Sequence, residues 1–292
     1  RVLATSVQGS MRPGVHVIWG SNTGVGKTLV SAGLMAAARR RACAALYLKP
    51  AQTGFPTDAD GGFVARLSDR LVPVAQLSAG RAVEFHGAHA REAAQKDGRV
   101  SHAMPSEAGA WFFAHGAEAP PPLVCETLFA WQTAVGPHLA VQYEGRPVGD
   151  DALVSATREA LAREPERLTI VETFGGVASL APSGSLQCDM LLPLGLPALL
   201  VGDGALGGIS NTLCASEALT RRGVPLVGVV LIDGGLDNHV ALGEHLHSVP
   251  VTLLPPLAKG PGGGEVSEEE IAGWLATAAP QFDGLLSQLV PP

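Results

Sequence analysis

A glycine-rich run, two lysines and a few scattered carboxylates have the types and spacing to handle a polyanion. The run Gly20-Ser-Asn-Thr-Gly-Val-Gly-Lys-Thr28 follows a short apolar stretch at 15–19 and precedes apolar residues at helical spacing over 28–38. A turn of this kind between a strand and a helix aims main-chain N–H groups at phosphate, and the helix N-terminus adds a favourable dipole. In that context Lys27 meets the β- and γ-phosphates and the Thr28 hydroxyl ligates magnesium, as in a Walker A loop. A nucleoside triphosphate with Mg2+ is the expected ligand. The spacing departs from strict G-x-x-x-x-G-K-[ST], because Ser21 stands at the first glycine position and Gly20 sits one place early.

Magnesium prefers near-octahedral oxygen coordination and takes one or two protein acids besides phosphate oxygens and water. Glu172 ends an apolar run and precedes Gly175-Gly176, so it is the first candidate. Asp58 and Asp60 lie in a polar loop and could reach the same ion, with helix capping as the alternative. The segment Lys49-Pro-Ala-Gln-Thr-Gly54 leaves a second strand and puts an ammonium and a hydroxyl next to the γ-phosphate. Two lysines at one site point to an acceptor that is itself anionic. Gly207-Gly208-Ile209-Ser210, at the start of a later helix, is a second anion site of the same physical kind or a simple cap.

The elements that must position these groups are read from periodicity. Strands are expected at 15–19, 44–48, 168–172, 198–201, 226–232 and 251–254, with helices at 28–38, 151–162, 210–221, 238–247 and 267–278. Continuous Val/Ile/Leu runs alternating with amphipathic helices indicate an α/β fold, a three-layer parallel sheet with helices on both faces. That is P-loop NTPase architecture, whose ligands bind at the carboxyl ends of the strands. A single domain over 1–292 is expected, with an irregular surface insertion at about 72–122 and a flexible connector at 259–264. Four histidines in the insertion, His86, His89, His102 and His115, are too irregularly spaced to favour a metal site.

Composition excludes several classes. A net charge of −7 leaves no basic face for nucleic acid, and the one tight basic run, Arg39 to Arg41, reads as compensation of a helix C-terminus. Cys43, Cys125, Cys188 and Cys214 form neither a disulfide framework nor a zinc cluster, so a reducing, intracellular compartment follows. No apolar run approaches the roughly 20 residues that span a bilayer, and a soluble protein with no membrane partner is expected. Because the chain starts at Arg1, a removed targeting peptide and a domain cut from a longer polypeptide are both open.

Taken in order, the phosphate loop, Lys49-Pro-x-x-Thr-Gly54, Pro137-His138, Glu144-Gly-Arg-Pro147, Val171-Glu172 with Gly175-Gly176, and Leu206-Gly207-Gly208-Ile209 resemble dethiobiotin synthetase. The insertion followed by Cys125-Glu-Thr-Leu-Phe-Ala-Trp131 looks like the plant and algal form, in which this domain precedes a diaminopelargonic acid aminotransferase. The resemblance implies an ATP- and Mg2+-dependent ligase of biotin biosynthesis that uses 7,8-diaminopelargonic acid and CO2. It passes through a carbamate and a carbamic-phosphoric anhydride. Carried over by position, Lys27 and Lys49 are catalytic, with Lys49 on the carbamate, and Thr28, Asp60 and Glu172 hold the metal. Thr23, Gly24, Val25, Gly26, Lys27, Thr28 and Leu29, with Glu172, Gly175, Asp233, Pro255, Pro256 and Leu257, surround the nucleotide. Thr23, Lys49, Thr53, Gly207, Gly208, Ile209 and Ser210 face the diamine, the last four from the neighbouring subunit of a homodimer. A eukaryotic fused form would be mitochondrial and a free-standing form cytoplasmic.

Departures from the family pattern fall at Gly24, where an acidic residue is usual, at Ile232-Asp233, where Asn-Asp is usual near adenine, and at Thr173-Phe174, where a bulkier pocket wall is expected. His138 has either a substrate-side role or a structural hydrogen bond. The rival readings are another synthetase of the same superfamily, such as a cobyrinic-type amide-forming enzyme or the regulatory domain of a phosphate acetyltransferase, and a partition-type switch ATPase. The switch is disfavoured because Gly20 and Ser21 stand where such proteins carry a second lysine.

Overall fold

The computed structural model describes residues 14–71, 83–86, 111–113, 123–258 and 266–290. Its strands are β1 (Val15–Gly20), β2 (Ala45–Gln52), β3 (Val83–His86), β4 (Trp111–Phe113), β5 (Leu123–Ala130), β6 (Leu168–Glu172), β7 (Ala198–Val201), β8 (Leu226–Ile232) and β9 (Val251–Leu254). They form one sheet in the order β4-β3-β5-β2-β6-β1-β7-β8-β9. Every neighbouring pair is parallel except β3 with β4, which is antiparallel. All six expected strands are present, and the parallel α/β architecture holds.

Helices cover both faces because β2, β5 and β6 bury alternate residues on each side. On one face Tyr47, Cys125 and Ile170 pack under α1 (Lys27–Arg40), α2 (Asp60–Arg70), α8 (Glu268–Thr277) and α9 (Ala279–Leu289). On the other, Leu46, Leu48, Val124 and Val171 pack under α3 (Pro137–Glu144), α4 (Asp150–Arg163), α6 (Gly208–Thr220) and α7 (Asn238–Leu246). The short α5 (Gln187–Met190) lies between α4 and α6 in the chain. By the same alternation Lys49, two residues beyond Tyr47, and Glu172, two beyond Ile170, belong to the α1/α2 face.

Helices α2, α3 and α9 were not expected, and three differences among the strands have physical causes. β2 runs on to Gln52, so Lys49 sits within the strand, paired in register with Thr127, and not beyond its end. β5 was not expected as a strand, because its run carries Glu126 and Thr127, which are 0% and 1% exposed. Arg163 of α4 meets Glu126 at 2.5 Å, so the polar residue is buried with a charged partner. Within 72–122, expected to be irregular throughout, β3 and β4 prolong the sheet at its edge. His89, His102, His115 and the 259–264 connector lie outside the described residues, as does the side chain of His86. All four cysteines are free thiols. Among the described residues no helix is long and apolar enough to cross a membrane.

The helix that follows the phosphate loop is anchored at one close contact. Gly33 of α1 lies against the Phe282 ring of α9, and a Cβ at this position would fall inside the ring's van der Waals envelope. Phe282 is 1% exposed and packs edge-to-face on Trp274, so it has nowhere to retreat. Gly33→Ala should therefore destabilise the fold by about 1–3 kcal/mol despite alanine's better helix propensity. Adding Phe282→Leu should recover part of that loss. Urea unfolding of the two variants checks both expectations.

Candidate functional site

The groups singled out in the sequence converge at the carboxyl ends of β1, β2 and β6. Lys49 Nζ lies 2.6 Å from Asp60 Oδ2 and 2.9 Å from Glu172 Oε1, and it donates to the Thr173 carbonyl at 3.3 Å. The Thr28 hydroxyl donates to the same two acids, at 2.9 Å to Glu172 Oε1 and 3.2 Å to Asp60 Oδ1. Ser31, one helical turn further along α1, donates to Glu172 Oε2 at 2.6 Å. Glu172 is 0% exposed and Lys49 3%. Burial works against the Lys49 charge, but the Asp60 and Glu172 carboxylates outweigh it and raise its pKa above the usual lysine value. Asp60, in the first turn of α2, is the acid that joins this cluster. Asp58 does not: its backbone carbonyl accepts from Gln52, and its carboxylate lies against Gly54.

Lys27 is placed differently. The phosphate loop turns through Gly26, whose φ of +95° lies in the left-handed region, and α1 starts at the next residue. Lys27 then folds back over Gly20, where a Cβ would stand 2.9 Å from its ammonium, and reaches the Asn22 carbonyl at 3.5 Å. The early Gly20 thus makes room for this lysine. Burial, the largest influence, pulls the Lys27 pKa down to about 8; Glu172 and Asp60 raise it while Lys49 lowers it. The two lysines therefore share one electrostatic environment. A cavity of about 550 Å³ opens here, lined by Gly24, Gly26, Lys27, Thr28, Leu29 and Asp60 among others. At its rim Arg66 of α2 pairs with Glu268 of α8 at 2.6 Å.

The remaining expected residues divide into two groups. Gly175 approaches Thr23, where a Cβ would be 3.5 Å from the threonine hydroxyl oxygen, and Gly176 lies under Ser21 and Asn22. Val25, Leu29 and Leu257 pack with Ile232 on the same core cluster, and a Cβ on Gly26 would stand 2.6 Å from Ile232 Cδ1. They form an apolar wall beside the loop. Pro255 accepts from the Trp274 indole at 2.9 Å, Pro256 is exposed, and one Asp233 oxygen is taken by the Gly235 amide at 2.7 Å. Thr53 follows β2, its carbonyl accepting from Gln52 at 2.8 Å. The expected bulkier wall at Thr173-Phe174 is not built that way. Thr173 is turned to β1, donating to the Ile18 carbonyl at 2.9 Å, and Phe174 packs in the core of the opposite face.

Gly207, Gly208, Ile209 and Ser210 are not in the phosphate-loop cavity. Gly207, Ile209 and Ser210, with Leu206, Leu213, Cys214, Leu236 and Asn238, line a separate one of about 680 Å³, while Gly208 is packed against the Asp203 carbonyl. Gly207, with φ of +85°, caps α6, and the Asn238 amide holds the preceding loop through the Asp203 and Ala205 carbonyls at 3.1 and 2.9 Å. The Glu144-Gly-Arg-Pro147 motif is structural within the chain. Glu144 accepts from the Thr133 amide at 2.8 Å and Arg146 donates to the Ala130 carbonyl at 2.9 Å, fixing the loop after β5. His138 Nδ1 is buried without a hydrogen-bond partner among the described residues.

Sequence reasoning missed Ser31 and Gln187. Ser31 lies four residues past Lys27 on the inward face of α1, a helical offset that carries the signal. The Gln187 side chain bridges the Phe174 and Gly176 carbonyls at 2.5 Å each, holding the turn that brings the glycines to the phosphate loop. Its separation from that turn leaves no local trace in the sequence. Among the described residues no group of three or more His, Cys, Asp or Glu is placed to hold a metal ion.

The chain is 38% identical over 294 residues to a mitochondrial bifunctional dethiobiotin synthetase/7,8-diamino-pelargonic acid aminotransferase of Arabidopsis thaliana, covering 94% of the chain and 34% of that protein. It thus spans about a third of that relative. To an ATP-dependent dethiobiotin synthetase BioD of Anaeromyxobacter dehalogenans it is 29% identical over 245 residues, 82% of this chain and 88% of the other. Among solved structures the cell division ATPase MinD of Pyrococcus furiosus shares the fold, with a TM-score of 0.51 and 17% identity over 94% of this chain and 97% of that one. A family model described as an AAA domain matches residues 16–108 and 112–259, a span that takes in the phosphate loop, Lys49, Asp60 and Glu172, and the chain belongs to that family.

Proposed function

We propose that this chain closes the ureido ring of dethiobiotin from 7,8-diaminopelargonic acid and CO2, coupled to conversion of ATP to ADP and phosphate. One observation carries the reading: a buried lysine on β2 is held between Asp60 and Glu172 directly beside a phosphate loop whose own lysine is a separate cation. Binding ATP requires one of these cations. The second suits an anionic co-substrate, and the resemblance to dethiobiotin synthetases supplies its identity.

In this reading the loop amides and Lys27 hold the β- and γ-phosphates, with the base against the wall of Leu29, Ile232 and Leu257. Thr28, Asp60 and Glu172 would hold Mg2+; a hydroxyl and two carboxylates on one site are hard oxygen donors, and so few suit an ion that keeps water and phosphate oxygens. When bound, the ion supplies charge neutralisation at the reacting phosphate. Lys49 gives up the carboxylates and turns to the carbamate formed when one substrate amine takes up CO2 and loses a proton. The carbamate oxygen attacks the γ-phosphorus and ADP leaves. The second amine then attacks the carbamoyl carbon, expelling phosphate and a proton as the ring closes. The chain's residues position and neutralise, and none acts as a nucleophile. Thr23 and Thr53 orient the diamine. Gly207, Gly208, Ile209 and Ser210 receive its distant carboxylate from a second copy, because within one chain their cavity is a different one from that of Lys27. The expected partners are therefore a second copy in a homodimer and an aminotransferase in the same polypeptide.

Phosphate release from ATP, Mg2+ and bicarbonate should require the diamine. Release that ignores the diamine and responds to DNA or lipid would replace this reading with a switch ATPase. Lys49→Ala should lower kcat by about a hundredfold or more while leaving ATP affinity within a few-fold, because its partner is the carbamate. Comparable loss of both would move Lys49 to the triphosphate site.

A pH effect follows from Lys27. With a pKa of about 8 in the ligand-free protein, it is mostly charged at pH 7 and mostly neutral at pH 9. Bound phosphate favours the charged form, so above pH 8 binding must take up a proton. ADP affinity should fall by about tenfold between pH 7 and pH 9. Calorimetry in buffers of different ionisation enthalpy should show proton uptake over that range. Lys27→Met should bind weakly and lose the pH dependence.

A further inference from the structure

Tyr47 is a fully buried residue to which the proposed chemistry gives no task. It is 0% exposed, and its hydroxyl is within the influence of the Glu172 side chain but makes no hydrogen bond of regular geometry among the described residues. Tyrosine in a core usually finds one, since an unpaired buried hydroxyl loses its water without compensation. Phenylalanine would fill the same space without that cost.

Its position explains where a partner is to be found. Tyr47 precedes Lys49 by two residues on β2 and pairs in register with Ile170, which precedes Glu172 by two on β6. Strand alternation puts all four on the α1/α2 face, with Tyr47 and Ile170 side by side next to Lys49 and Glu172. Burial, and after it the Glu172 and Asp60 charges, push the Tyr47 pKa well above the usual phenol value. A phenol is an O–H donor at neutral pH in any case, and the nearby acceptors are the Glu172 and Asp60 carboxylates.

Glu172 changes donors in the proposed reaction. In the structure Oε1 accepts from Thr28 and Lys49, and Oε2 accepts from Ser31. Once Lys49 turns to the carbamate and the Thr28 oxygen serves the metal, Ser31 alone remains of these three. We infer that Tyr47 is the positioning residue that replaces them, donating its hydroxyl to Glu172 and fixing the carboxylate as a metal ligand in the loaded site. This rests on the metal-site reading above and not on the identity of the diamine. Partners of this kind orient ligating carboxylates, and their loss typically lowers metal affinity by about 10–100-fold.

The test is Mn2+ binding to the protein in saturating ADP, followed by electron paramagnetic resonance, for wild type, Tyr47→Phe and Glu172→Gln. Tyr47→Phe should weaken Mn2+ about tenfold and raise the KM for Mg2+ more than it lowers kcat. The melting temperature without ligand should stay the same or rise slightly, since only an unpaired hydroxyl is lost. A purely structural tyrosine would do the reverse, lowering the melting temperature and sparing Mn2+ affinity. If Glu172→Gln loses Mn2+ but Tyr47→Phe stays within twofold of wild type, the Tyr47 role is overturned and the metal site stands. If Glu172→Gln binds Mn2+ as wild type does, both fall together. Diamine-dependent phosphate release judges the ring-closing reaction separately.

Discussion

A carboxylate taken out of water must be given donors in place of the solvent it loses. Glu172 is wholly buried and receives three, from Thr28, Ser31 and Lys49. Two of these belong to the helix that grows out of the phosphate loop, and the third to a neighbouring strand. The same hydrogen bonds therefore satisfy a buried charge, register α1 over β6, and fix Lys49 relative to the loop. Removing Lys49 would leave the carboxylate charge uncompensated in the interior, where that is costly. The geometry of the site is thus bound to the stability of the central sheet.

The two lysines show how one acid cluster can treat two like charges differently. Lys49 touches both carboxylates and is raised, whereas Lys27 reaches only the Asn22 carbonyl and is drawn down to about 8 by burial. Lys27 is mostly charged at pH 7, and an anion beside it would extend that charge to higher pH. Lys49 is charged already, but its charge is spent on the acids until another cation relieves it. Under the proposed reaction the two cations would be linked through the acids they share, because Glu172 and Asp60 act on both lysines.

Much of this was legible in the sequence because it is local. The phosphate loop, its strand and its helix are contiguous, and most of the central strands are short, mainly apolar runs whose length and flanking turn residues favour strand over helix. Lys49 and Glu172 could be nominated because each ends or nearly ends such a run. What escaped was non-local or masked by polarity. β5 was hidden by Glu126 and Thr127, polar residues that a strand buries only with partners from elsewhere, here Arg163. The edge strand β4 and its neighbour β3 are three and four residues long, too short to carry periodicity. That Asp60 and not Asp58 joins the cluster depends on where α2 begins, and a boundary is the least determined feature of a pattern. The donor set around Glu172 spans separations of 123 to 144 residues, beyond any spacing rule.

The fold by itself does not choose a reaction. MinD has the same architecture at 17% identity, and an architecture shared so widely leaves function to the side chains at the strand ends. Here the distinguishing features are a second lysine in the interior of β2 and a second glycine-led helix N-terminus that opens on another cavity. Leu206 beside that cavity is 93% exposed and Leu236 50%, so the helix start is framed by apolar side chains left in water. A substrate with an amine pair at one end and a carboxylate at the other needs both features within its own length. A single chain holds them in separate cavities, so under the proposed reaction the carboxylate end must be received by another copy, and covering those leucines would supply part of the favourable energy for that association.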